Sequence, residues 1–106
     1  MLDPEVVEPV ITVEVVEGPR APRLVVTGDL DLDGAKVLDR VIEEQGSAVE
    51  LDLAGVEFMD SSGLRSLLIH RTDPGATVVS ASPAVTRLCE LAAVTFLFEE
   101  PETATS

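Results

Sequence analysis

The sequence has 106 residues, a length typical of one domain with a single core. Its 20 acidic and 7 basic residues give a net charge of −13, which disfavours binding to nucleic acids and to anionic membrane surfaces. Aromatic residues make up only 3% of the chain, so the core must be built from aliphatic side chains.

Residues 1–9 contain two prolines and three acidic residues and predict a flexible N-terminal arm. They lack the basic and apolar regions of a signal peptide. No apolar run approaches the roughly 20 residues that are needed to cross a bilayer. We therefore expect a soluble, cytoplasmic protein that does not insert into membranes.

Two segments rich in β-branched residues follow, at 10–16 and 23–27, and the glycine and prolines of 18–22 predict a turn between them. They form a candidate hairpin. The acidic stretch 28–34 then predicts a loop that leads into a helix over 34–45, with Asp33 as the N-cap.

The rest of the chain alternates strands with helices. The predicted elements are a strand over 48–53 that continues through 55–59, a helix over 62–71, a strand over 76–80, a helix capped by Ser82 with Pro83 in its first turn, and a strand over 94–98. Residues 99–106 predict a tail, so the domain is expected to span 10–98. This order predicts an α/β fold whose sheet is largely parallel, with the antiparallel hairpin at one edge.

The segment 58–64 stands at the predicted end of a strand and the start of a helix. The first N–H groups of a helix have no partner within the helix, and the helix dipole stabilises anions there. A hydroxyl of Ser61 or Ser62 would be accessible at this point, and a phosphate on it would add about −1.5 to −2 charge. The alternative is that both serines only cap the helix.

The same segment, Phe-Met-Asp-Ser-Ser-Gly-Leu, resembles the characteristic motif of the STAS-domain anti-sigma factor antagonists. Other stretches resemble this family in the correct order: Gly-Asp-Leu-Asp at 28–31, Leu-Asp-Leu at 51–53, and Ser-Pro-Ala-Val at 82–85. The resemblance covers about residues 10–98. It implies a mixed sheet of four or more strands with the helices packed on one side.

The resemblance also implies a function. The chain would bind an anti-sigma factor with serine kinase activity and free a sigma factor, until the kinase phosphorylates Ser61 and a serine phosphatase reverses this. ATP would be used by the kinase, so the chain itself is expected to need no cofactor, to bind no metal and to have no catalytic residue. The partner-binding residues implied are Asp29, Asp31, Asp60, Ser62, Gly63, Leu64 and Arg65.

Arg65 departs from the family pattern, which usually has a small residue there. Three other interpretations of the turn remain. One is a hydrolase that uses Ser61 with His70, although nine residues along a helix separate them by roughly 13 Å. A second is a response regulator with Asp60 as phospho-acceptor. The third is a STAS scaffold or transport-accessory domain, in which the turn docks a partner and is never phosphorylated.

Several polar residues outside the turn have simpler interpretations. His70 is expected to be solvated near the end of its helix, where a cation suits the dipole. Asp39, Glu43 and Glu44 are expected to form a solvated helix face. Cys89 cannot form an internal disulfide because it is the single cysteine, and it is expected to be a small core residue.

Overall fold

A computed structural model describes residues 10–94. The elements of this part, in chain order, are β1 (Ile11–Glu17), β2 (Pro22–Leu30), α1 (Leu32–Gln45), β3 (Val49–Met59), α2 (Ser61–His70), β4 (Ala76–Ala81) and α3 (Pro83–Leu91). The predicted arm 1–9, the tail 99–106 and all but the first residue of the predicted strand 94–98 lie outside the described residues, so these predictions stand untested.

The described strands form a four-stranded sheet in the order β1-β2-β3-β4. β1 pairs with β2 in antiparallel fashion, whereas β2 with β3 and β3 with β4 are parallel. The predicted α/β fold, with its antiparallel edge hairpin and its parallel remainder, is therefore confirmed. From β2 to β3 and from β3 to β4 the chain moves in the same direction across the sheet. Right-handed crossover connections therefore place both connecting helices, α1 and α2, on the same face of the sheet.

The core is aliphatic, as the composition requires. Alternate residues of β2, among them Leu24 and Val26, are fully buried against α1, whose inner face contributes Leu38 and Ile42. Cys89 on α3 joins the same cluster, and burial raises the pKa of its thiol. The prediction that Cys89 is a core residue is correct.

Two predicted boundaries are wrong at the start of α1. The acidic stretch 28–34 predicts a loop, but residues 28–30 extend β2, because Leu30 pairs with Met59 at the end of β3. The N-cap is Asp31 rather than Asp33: the Asp31 carboxylate accepts a hydrogen bond from the N–H of Gly34 at 2.8 Å. Asp33 instead lies exposed in the first turn of the helix.

Two other helix ends have residues that are common at such positions. Gly46 ends α1 in the left-handed conformation, with φ of 67°, and its N–H donates to the carbonyl of Glu43. Ser82 caps α3 and Pro83 occupies its first turn, as predicted. Within the described residues, no helix has the length and apolar character that would be needed to cross a membrane.

Candidate functional site

The motif 58–64 lies where β2 and β3 end side by side and where α1 and α2 begin. Leu30 and Met59 are the last residues paired between these strands. The N–H of Asp60 then donates to the carbonyl of Leu30 at 3.3 Å, which ties the start of α2 to the end of β2. The carboxyl ends of parallel strands are the usual place for binding sites in open α/β sheets, because two loops meet there.

Asp60 is the N-cap of α2. One carboxylate oxygen, Oδ1, accepts from the N–H of Ser62 at 2.8 Å and from the N–H of Gly63 at 3.4 Å. These donors belong to the first turn, where backbone N–H groups have no partner within the helix. The carboxylate is half-buried, so its negative charge remains at the surface of the turn while it holds the helix start in place.

Ser61 is the first residue of α2, and its side chain is exposed. Among the described residues, no hydrogen bond to its hydroxyl is found. The cap of α2 is Asp60, so the alternative that Ser61 serves only as the cap has no support in this geometry. Ser62 is half-buried and contributes its N–H to the cap. The arrangement leaves Ser61 Oγ open to a macromolecular partner or to a kinase.

Gly63 allows α2 to begin this close to the sheet. A Cβ atom at this position would lie 2.5 Å from the carbonyl oxygen of Leu30 and 2.8 Å from Met59 Cγ. Both distances are shorter than real contacts of a Cβ atom. Leu64, the next residue, is 9% exposed and packs in the core. Gly63 and Leu64 therefore position the turn, and their predicted contact with a partner stays a prediction.

The other predicted partner-binding residues are distributed around this turn. Asp29 and Asp31 are half-buried at the end of β2 and the start of α1, and Arg65 is exposed on α2. The site is acidic, since Asp60 and the exposed Asp33 lie at the same two helix starts. In the part of the chain that the structure describes, no three His, Cys, Asp or Glu residues are grouped so that they could hold a metal ion.

Sequence reasoning missed a polar cluster between α1 and α2. His70 is only 6% exposed, and its Nε2 lies 3.0 Å from Asp39 Oδ1. The hydroxyl of Ser66, itself 3% exposed, donates to the same oxygen of Asp39. The prediction that His70 is solvated is wrong, because its ring is buried against α1. Asp39, predicted on a solvated face, keeps 39% of its side chain exposed while it contacts both buried groups. The four-residue spacing of Ser66 and His70, which places both on one helix face, was the feature of the sequence that could have indicated this cluster.

This cluster also bears on the hydrolase interpretation. Ser61 and His70 are the first and last residues of α2. The ring of His70 is engaged on both sides, since Nδ1 lies 3.4 Å from the carbonyl oxygen of Asp73 while Nε2 contacts Asp39. A general base needs hydrogen-bond reach to its nucleophile, and this imidazole is oriented towards α1 instead.

Removing Asp39 should destabilise the fold. In Asp39→Ala, the buried groups of Ser66 and His70 lose their shared acceptor, and we expect a loss of about 1–3 kcal/mol in the free energy of unfolding. Glu43→Ala, an exposed acid on the same helix, is the matched control and should cost less than about 0.5 kcal/mol. Urea denaturation of both variants measures this, and equal stabilities would show that the cluster contributes nothing.

Substitutions of Asp60 can separate its cap from its charge. Asp60→Ala removes the acceptor for two N–H groups, and we expect a loss of about 1–2 kcal/mol in stability. Asp60→Asn retains a capping oxygen, so it should stay within about 0.5 kcal/mol of the wild type. If Asp60→Asn is as unstable as Asp60→Ala in urea denaturation, the negative charge and not the cap geometry stabilises the turn.

Comparison with known proteins agrees with this fold. A family model described as "Mlab, STAS domain" matches residues 13–98. An anti-sigma factor antagonist from Mycobacterium paratuberculosis is 28% identical in sequence, with a TM-score of 0.73 over 90% of this chain and 88% of that chain. The anti-sigma factor antagonist SpoIIAA in its unphosphorylated form is 19% identical, with a TM-score of 0.59 over 78% of this chain and 82% of that chain, and shows the shared fold.

A comparison with curated proteins found no match. The family match nevertheless covers most of the sequence and includes every element from β1 to α3 in part or in full. The resemblance inferred from the motif at 58–64 is thus confirmed at the level of the family: this chain belongs to the STAS-domain family.

Proposed function

We propose that this chain is an anti-sigma factor antagonist, which binds an anti-sigma factor with serine kinase activity and thereby frees a sigma factor. The observation that carries the proposal is the exposed hydroxyl of Ser61 at the first residue of α2, beside the capping carboxylate of Asp60. The likeness to the antagonist from Mycobacterium paratuberculosis, at 28% identity over 90% of the chain, supports the same role.

The switch would operate through charge. With Ser61 unmodified, the turn offers the partner a small neutral hydroxyl next in the chain to Asp60, whose carboxylate caps α2. The partner's kinase activity then transfers the γ-phosphoryl group of ATP to Ser61 Oγ, which loses its proton, and ADP leaves. The phosphate adds about −1.5 to −2 charge where a carboxylate already lies. A partner surface that fits the hydroxyl would be repelled by this phosphate. A serine phosphatase would restore the hydroxyl of Ser61 by hydrolysing the phosphate ester.

Electrostatics would also assist association with the partner. The net charge of −13 and the acidic side chains around the turn should attract a basic surface and accelerate encounter at low salt. Apolar contact is available beside the turn, where Phe58 is 50% exposed and Leu91 on α3 is 78% exposed. Interfaces of this kind combine a desolvated apolar centre with a charged rim.

A second candidate function is a scaffold or transport-accessory domain that docks a partner through the same turn without phosphorylation. The family match supports this second candidate, because the matching family model is described as "Mlab, STAS domain" and not as an anti-sigma factor antagonist. The two candidates make the same use of the exposed turn, and they differ in whether Ser61 accepts a phosphate.

Intact mass spectrometry distinguishes these functions. After incubation with ATP and the anti-sigma factor kinase, the wild type and Ser62→Ala should each gain the mass of one phosphate, and Ser61→Ala should gain none. A gain that persists in Ser61→Ala would place the acceptor elsewhere. If no variant gains mass with a kinase that is active on its own antagonist, the scaffold function is favoured.

A further inference from the structure

Arg65 lies one helical turn after Ser61, and both side chains are exposed. Residues four apart on a helix are neighbours on its surface, with Cβ atoms about 5–6 Å apart. Such a pair is most favourable when the anionic group is on the residue nearer the N-terminus and the cation is on the residue four positions after it. The spacing therefore brings the guanidinium within reach of any anionic group that is attached to Ser61.

Arg65 has no hydrogen-bond or ion-pair partner among residues 10–94. By contrast, Arg23 is engaged with Glu50 at 2.8 Å on the sheet. Arg65 is also the single lysine or arginine of α2, in a region where Asp60 caps the helix. The Arg65 side chain, one turn from the exposed Ser61 and without a partner among the described residues, is therefore available to contact an anionic group on Ser61.

We propose that the guanidinium of Arg65 binds the phosphate of phosphorylated Ser61 along the surface of α2. This inference rests on the proposed phosphorylation of Ser61. Two N–H groups of a guanidinium match two phosphate oxygens, which gives a paired, charge-assisted contact that a lysine ammonium reproduces only in part. Arg65 thus holds the phosphate against its own helix and stabilises the phosphorylated form of this chain.

The test uses full-length protein with phosphoserine inserted at position 61 during translation, so no kinase is required. The pKa of the second phosphate ionisation is measured by ³¹P NMR in this protein and in its Arg65→Gln and Arg65→Lys variants. Because a nearby cation favours the dianion, we expect Arg65→Gln to raise this pKa by about 0.5, a shift typical of an exposed ion pair. Arg65→Lys should raise it by less.

Arg40→Gln is the matched control, because Arg40 is also exposed but lies on α1, eight residues after Leu32 and thus about 12 Å along the axis from the start of that helix. It removes the same charge and should leave the phosphate pKa unchanged. A second readout is the Nε–Hε resonance of Arg65, which should move as the phosphate titrates and stay fixed when Ser61 is unmodified. Equal pKa values in Arg65→Gln and Arg40→Gln, or an Arg65 resonance that does not respond, would overturn the inference.

These measurements separate the inference from the proposed function. The phosphate is installed without the partner, so its contact with Arg65 is observed whether or not phosphorylation changes partner binding. If Arg65 does not contact the phosphate, phosphorylation could still control partner binding. If the partner binds the phosphorylated and unmodified forms equally, the proposed switch is wrong, but the contact between Arg65 and the phosphate measured by NMR is unaffected.

Discussion

Phosphorylation of Ser61 should weaken binding to the anti-sigma factor about a thousandfold. The new charge appears on an exposed side chain next in the chain to Asp60, and in the proposed complex the partner's surface would fit a neutral hydroxyl there. Like-charge and desolvation effects at an interface reach several kcal/mol, and about 4 kcal/mol corresponds to this change in affinity. Isothermal titration calorimetry with the phosphoserine protein and the unmodified protein measures it.

Variants of Ser61 test the charge mechanism without a phosphate. Ser61→Asp adds one negative charge and should weaken binding about ten- to a hundredfold, whereas Ser61→Ala should bind like the wild type. Ser47→Asp adds the same charge at an exposed serine in the loop between α1 and β3, and is expected to have no effect. The mechanism is wrong if Ser61→Asp binds the partner as tightly as Ser47→Asp does.

The second large effect is expected for Gly63→Ala. The added methyl group would lie 2.5 Å from the Leu30 carbonyl oxygen and 2.8 Å from Met59 Cγ, so α2 must move away from the ends of β2 and β3. Because a backbone atom cannot rotate aside, we expect a loss of roughly 2–3 kcal/mol in stability, as for other overpacked positions. That loss is a large part of the total free energy of unfolding of a domain of this size.

Ser61→Ala is the matched control for this substitution. It places an alanine in the same helical turn, but at an exposed position that already carries a Cβ atom, and should change stability by less than about 0.5 kcal/mol. Urea denaturation monitored by circular dichroism compares the two variants. If Gly63→Ala unfolds at the same urea concentration as Ser61→Ala, the close approach of α2 to Leu30 is not a constraint on the fold.

The sequence predicted the architecture because local signals agreed with one another. Alternating apolar residues marked the strands, the apolar face of 34–45 marked α1, and Ser82 with Pro83 marked the start of α3. Ser61 was predicted at a helix start, and the structure places it at the first residue of α2. These features depend on neighbours in the chain, which is why periodicity and capping patterns predict them.

Features that depend on distant residues were not predictable in the same way. β2 extends to Leu30 because that residue pairs with Met59, and this register moves the cap of α1 from Asp33 to Asp31. His70 is buried because α2 packs against α1 and brings Asp39 to its ring. In both cases tertiary packing decides which side chains meet, and the local sequence pattern does not contain that information.

Release of the sigma factor tests the central claim most directly. A preformed complex of the anti-sigma factor and its sigma factor is titrated with this protein, either unmodified or carrying phosphoserine at position 61, and free sigma factor is measured by analytical size exclusion. The unmodified protein should release the sigma factor, and the phosphorylated protein should release none over the same range. Equal release by both forms, or no release by either, would contradict the proposal that Ser61 controls partner exchange.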